Sequence, residues 1–160
     1  MRILGIDPGL KTTGYGFIDC NGSNITLIET GILKPKQRDL IQHRIHKIYT
    51  LLDEMIGQYR PDVLVLEKLY AHSHHPTTAS IMGHLRGVIC LLCAQRNIKL
   101  AEQSVKRIRK ALVGNGNATK LQTQRVVAHV LRIDAQKLTL DASDALALAL
   151  GYQHLNRHRL

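Results

Sequence analysis

At 160 residues, with 44% hydrophobic and 21% charged side chains, the chain is one domain long and apolar enough to bury a core, which excludes wholesale disorder. Twenty-two Lys and Arg against twelve Asp and Glu give a net charge of +10 before the nine histidines are counted. That balance points to a polyanionic partner, nucleic acid or an anionic membrane surface. Residues 3–6 are too short an apolar run for a signal peptide, and no run reaches the eighteen or so apolar residues of a membrane span. The expected setting is the cytoplasm, with no membrane partner. Cys20, Cys90 and Cys93 are an odd set in a chain long enough to need no covalent staple. Cys90 and Cys93 lie in an apolar run and read as buried, reduced thiols that pack as small hydrophobes.

Residues 2–6 form an apolar run ended by Asp7-Pro8-Gly9, the pattern of a buried strand closed by a turn. Residues 12–19 and 25–33 alternate in polarity around Asn21-Gly22, with Tyr15, Phe17, Ile25, Leu27 and Ile32 apolar, and predict a hairpin. Pro35 ends it. Over residues 40–59, Ile41, Ile45, Ile48, Leu52, Met55 and Tyr59 step by four and three, predicting an amphipathic helix of about five turns. Pro61 separates it from Val63-Leu64-Val65-Leu66, apolar at every position, as strands covered on both faces are. A second helix is predicted over residues 76–95 and a short strand near 98–101. A basic helix over 104–112 follows, then a turn at Gly114-Asn115-Gly116-Asn117. A helix over 118–132 carries Leu121, Val126, Val127, Val130 and Leu131, and a last helix opens near Asp141 and runs through Leu150. No repeat or linker interrupts this order. Strands lead, helices follow, and a strand-helix-strand crossover joins them, so residues 1–160 read as a single α/β domain.

Both of the most apolar strands run into an acid, the first into Asp7 and the second into Glu67. Open α/β sheets place their ligands at the carboxyl ends of such strands. If the two strands are parallel neighbours, the carboxylates lie side by side, at a cost of several kcal/mol that a cation relieves. Asp141-Ala142-Ser143-Asp144 adds two acids three apart on one helix face. Two explanations stand open there: Asp141 as N-cap with Asp144 favoured by the helix dipole, or both as ligands. Acids are scarce nearby, since residues 103–133 hold seven Lys or Arg and no Asp or Glu. Four acids at element ends in so basic a chain suggest a divalent-metal site on a polyanion-binding protein. Oxygen donors without a Cys-His set favour Mg²⁺ or Mn²⁺ over zinc, and such a cluster suits two-metal phosphodiester cleavage. Lys106, Arg107, Arg109 and Lys110 read as phosphate contacts. His72, His74 and His75 read as lining a phosphate surface rather than as a zinc site. Gly83 and Gly87 flank Arg86 on the second helix and suggest close approach of another backbone, within the chain or across a subunit interface.

Five motifs in order then carry a resemblance: Gly5-Ile6-Asp7-Pro8-Gly9 with Thr13-Gly14-Tyr15-Gly16; Leu66-Glu67; Gly83-His84-Leu85-Arg86-Gly87-Val88-Ile89; Val113-Gly114-Asn115-Gly116 with Ala118-Thr119-Lys120; and Asp141-Ala142-Ser143-Asp144-Ala145-Leu146-Ala147. Together they resemble the RuvC-type Holliday junction resolvases over nearly the whole chain. The resemblance implies an RNase H-like fold, a five-stranded mixed sheet flanked by helices. It also implies a homodimer that nicks four-way DNA junctions symmetrically with Mg²⁺, alongside a RuvAB-type branch-migration complex. Asp7, Glu67, Asp141 and Asp144 fall on the family's four metal-binding carboxylates, and Lys120 on a basic residue used near the scissile phosphate. Arg109 stands where the family usually has lysine, which keeps the charge but changes the contact geometry. Tyr70 falls on an aromatic that stacks on a base of the opened junction. Lys68, after Glu67, departs from the usual polar residue and either assists phosphate binding or weakens the metal's hold.

Two other readings compete. Asp7-Pro8-Gly9 with Thr12-Thr13-Gly14 also resembles the phosphate loop of actin-like ATPases, but that architecture needs two such domains. A DNA-structure-binding module without hydrolytic activity would use the acids as caps, and retention of all four argues against it. Another RNase H-like nuclease would share the same carboxylates.

Overall fold

The computed structural model describes residues 1–68 and 76–157, with residues 76–78 described by backbone alone. Five strands, β1 (Arg2–Asp7), β2 (Thr13–Asn21), β3 (Asn24–Leu33), β4 (Val63–Glu67) and β5 (Lys99–Gln103), form one sheet in the order β3-β2-β1-β4-β5. The hairpin β2–β3 and the pair β1–β2 are antiparallel, whereas β1–β4 and β4–β5 are parallel. The helices are α1 (Ile41–Tyr59), α2 (Pro76–Gln95), α3 (Val105–Val113), α4 (Lys120–Leu131) and α5 (Leu140–Leu155). A 3-10 turn at Ala135–Lys137 precedes α5.

The pleat sorts the core into two layers. Leu4, Ile6, Phe17, Leu64 and Leu66 pack with α1 and α2 on one face. Ile3, Ile18, Val63 and Val65 pack with α3, α4 and α5 on the other. Because strand side chains alternate with period two, Asp7 and Glu67 follow Ile3 and Val65 onto the α5 face. Each fully buried Leu or Ile contributes about 1.5–3 kcal/mol, so both layers hold the central strands firmly.

Glycines let α5 settle on the sheet. A Cβ at Gly5 would run into the main-chain carbonyl of Ala145, one at Gly14 into the backbone of Asp141, and one at Gly16 into the Leu146 side chain. With those positions bare, α5 lies close over β1 and β2, buried from Ala145 through Gln153. This contact brings the start of α5 to the carboxyl end of β1.

Three expectations shift. The strand read near 98–101 lies at Lys99–Gln103, because Asn97 (φ 53) and the Ile98 N–H bond to Cys93 O (2.9 Å) belong to the end of α2. Cys93 is buried, its thiol pushed up to about 11 first by burial. Cys90 is exposed, since the helical turn that buries Ile89, Leu92 and Cys93 faces it outward. Gly83 and Gly87 do not receive another backbone from this chain: nothing among the described residues lies within 4 Å of a Cβ built at either. Among the described residues no helix is long and apolar enough to cross a membrane.

Candidate active site

β1 and β4 pair in parallel with Ile6 opposite Leu66, so Asp7 and Glu67 leave neighbouring strands at the same level and on the same face. The loop after Asp7 is held tight by Thr13 Oγ1, which donates to Gly9 O at 2.8 Å. Asp144 reaches the same place from α5. Asp141 does not cap that helix. Thr139 does, its Oγ1 accepting the Ala142 N–H at 3.3 Å, and Asp141 lies inside the first turn. Capping therefore does not account for Asp141, although the first turn is where the helix dipole favours an acid.

Asp7, Glu67 and Asp144 line a cavity of about 190 Å³ together with Lys120 and Arg109, walled by Val105, Ile108 and Leu148. Asp141 lines a different hollow, beside Lys11 and Arg44, yet its charge is felt at Asp7. Lys120 is placed by a capping box at the start of α4, in which Thr119 accepts from the Gln122 N–H and the Gln122 side chain accepts from the Thr119 N–H. Lys120 Nζ then meets Asp144 Oδ2 at 2.5 Å.

The electrostatics follow from crowding acids in a half-dry hollow. Burial, then the charges of Asp144 and Glu67, push the Asp7 carboxyl from 3.8 to about 7, with Lys120 pulling the other way. Glu67 is raised by burial and by Asp144, opposed by Lys120, Arg109 and Arg86. Lys120 is raised above the usual lysine value, first by its hydrogen bond to Asp144. Among the described residues no three His, Cys, Asp or Glu side chains meet closely enough to grip an ion as they stand. The Lys120 ammonium is the cation on Asp144. An all-oxygen donor set whose ionisation is resisted by its neighbours fits a hard divalent cation, which would relieve that repulsion.

The basic segment flanks the cavity. On α3, Lys106, Arg107 and Lys110 are exposed while Ile108 anchors the helix and Arg109 turns into the cavity. The Arg109 Nε is buried with no hydrogen-bond partner among the described residues. The Lys68 N–H donates to Gln103 O at 2.8 Å, extending the β4–β5 ladder past Glu67. Tyr70, His72, His74 and His75 lie outside the described residues, as do His158 and Arg159. The sequence places Arg86 between two glycines and in a family motif but gives it no role, whereas the structure turns it inward to the Glu67 carbonyl. Its one readable signal was a charge on an otherwise apolar turn.

The family model for Crossover junction endodeoxyribonuclease RuvC matches residues 3–152. The chain belongs to the RuvC family. A RuvC of that name from Rhodopirellula baltica is 38% identical over 153 residues, spanning 96% of this chain and 86% of the relative. One from Halorhodospira halophila is 39% identical over 154 residues, spanning 96% and 90%. The Thermus thermophilus RuvC structure superposes with a TM-score of 0.89 at 22% identity, covering 99% of this chain and 97% of that one. T. thermophilus RuvC in complex with Holliday junction substrate superposes at 0.88 and 19% identity, covering 99% and 96%. The shared architecture is the RNase H-like mixed sheet, and in this RuvC-family chain it carries the acids at the ends of β1 and β4 beneath α5.

Proposed function

We infer that this chain is a structure-selective endodeoxyribonuclease that nicks four-way DNA junctions during recombination and repair. The observation that carries the reading is the convergence of Asp7, Glu67 and Asp144, from three separate elements, on one cavity faced by Lys120 and Arg109, in a RuvC-family chain. The family is one of metal-dependent nucleases, and we propose Mg²⁺, replaceable by Mn²⁺, held by Asp7, Glu67, Asp141 and Asp144. Bound there, such ions would supply activation of the attacking water and charge stabilisation of the attacking and leaving oxygens.

The chain's own residues do the rest. Lys120, which pairs with Asp144, would present its ammonium to the scissile phosphate once Asp144 held a metal. Arg109, which lines the cavity, brings its guanidinium charge to a non-bridging phosphate oxygen. Lys106, Arg107 and Lys110 hold the backbone without reading sequence, and Tyr70 stacks on a base freed at the junction centre, a contact of about 1–3 kcal/mol. Residues 1–160 act as one nuclease domain in the cytoplasm.

The partner we propose for the open groove between α1 and α2 is a second copy of the chain. The groove holds about 720 Å³ and is lined by Ile41, Tyr49, Val88 and Leu91 over the bare Gly83 and Gly87, and Leu91 is 54% exposed. A two-fold dimer presents two active sites to a two-fold junction, which explains paired nicks. A RuvAB-type branch-migration complex delivers the junction. The test is a nicking assay on a synthetic four-way junction beside a linear duplex. Paired nicks on the junction alone, dependent on Mg²⁺, are expected; equal cutting of both substrates, or junction binding without any cutting, overturns the reading.

A further inference from the structure

Arg86 lies in the middle of α2 and is 9% exposed, although Gly83, His84 and Gly87 around it face solvent. Burying a guanidinium is costly unless its donors are taken up. Two of them are: Nη1 donates to the main-chain oxygen of Glu67 at 2.5 Å, and Nη2 pairs with Glu102 Oε1 on β5. Glu67 is the last residue of β4. The β1–β4 register ends at Ile6 opposite Leu66, one residue short of it, so the strand loses its support from β1 where the acid begins. The guanidinium supplies support from α2 at that position. Its charge also favours the ionised form of the Glu67 carboxylate.

We propose that Arg86 is a positioning residue for Glu67: by gripping the Glu67 carbonyl while Glu102 orients its fork, it holds the end of β4 on its α2 side and aims the Glu67 carboxylate into the cavity. Only a planar, two-armed cation spans a carbonyl and a carboxylate at once; the single ammonium of lysine serves one well and the other poorly. The inference rests on the reading of Glu67 as a metal ligand.

The experiment is Mn²⁺ binding to the full chain without DNA, by calorimetry, with melting temperature measured alongside. Arg86→Met is expected to weaken Mn²⁺ binding by about 10–100-fold, the range found when a partner that orients a metal ligand is removed, and to leave junction binding in EDTA unchanged. Arg86→Lys is expected to fall between Met and wild type. Asp53→Asn, which breaks the Arg96 pair (2.6 Å) between α1 and the far end of α2, controls for loosening of α2 and is expected to bind Mn²⁺ like wild type. Glu67→Gln is the reference for a lost ligand. If Glu67→Gln weakens Mn²⁺ and a folded Arg86→Met does not, the positioning role is wrong while the metal site stands; should Arg86→Met fail to fold, wild-type affinity in Arg86→Lys is equally fatal. Equal weakening by Asp53→Asn also overturns the role, reducing it to helix stability. Wild-type affinity in Glu67→Gln instead removes the metal-ligand reading, and the inference with it.

Discussion

Replacing Asp7 by asparagine should abolish nicking and, at neutral pH, make the protein more stable. The Asp7 carboxyl sits at about 7 against 3.8 in the free residue, a difference equal to about 4 kcal/mol at most. Relaxation and water entry bring the expected figure to about 2–4 kcal/mol. The sign follows from proton linkage: the folded chain holds this proton more tightly than the unfolded chain, so ionisation costs stability progressively as pH rises from about 4 to about 7, and the cost is constant above that. Asparagine, uncharged and of the same shape, removes it. In EDTA at pH 8 the variant should melt roughly 4–16 °C higher, at 2–4 °C per kcal/mol for a chain of this size. At pH 4.5 only about a quarter of the gain should remain, because the folded chain still keeps this carboxyl protonated and little of the interval between 3.8 and about 7 has been crossed. Paired thermal melts of variant and wild type at the two pH values measure it. A gain of equal size at both, or none at pH 8, would refute the picture of a carboxylate strained by burial and by its acidic neighbours.

Changing Lys106, Arg107 and Lys110 together to alanine should weaken junction binding and reduce the slope of log affinity against log salt by up to about 2.7, at roughly 0.9 per lost phosphate contact; an unchanged slope places the DNA elsewhere. Gly5→Ala should cost more than about 3 kcal/mol in urea unfolding, since its Cβ meets the Ala145 carbonyl, and a loss under about 1 kcal/mol would mean α5 is not seated on β1 as described. Lys120→Met should slow cleavage at least tenfold, by the loss of a charge at the phosphate, yet change stability by under about 1 kcal/mol, because the Lys120 side chain is 51% exposed. A large drop in melting temperature would make Lys120 a structural residue instead.

What could be read from the sequence was what repeats locally. Alternation gave the hairpin β2–β3, steps of three and four gave α1, and continuous apolarity gave β4 as a strand covered on both sides. The two acids ending β1 and β4 were legible for the same reason, because a charge closing an apolar strand has few structural uses. The approach of α5 was not legible. It depends on Gly5, Gly14 and Gly16 forming a bare floor under Ala145, Asp141 and Leu146, and those glycines are far from α5 along the chain. Asp141 as N-cap stayed an open alternative because Thr139 and Asp141 are both good caps, and the Ala142 N–H bond to Thr139 decides for Thr139. Likewise the exposure of Cys90 and the inward turn of Arg86 depend on which way α2 rolls against the sheet, which its nearly all-round apolar sequence does not specify.

The central claim is that acids from β1, β4 and α5 form one ion-binding centre. Anomalous diffraction from crystals soaked in Mn²⁺ tests it most directly. Manganese peaks are expected between the carboxylates of Asp7, Glu67, Asp141 and Asp144, with Lys120 swung away from Asp144. Manganese sitting only on other acids of the surface, with the Lys120–Asp144 pair intact in its presence, would contradict it.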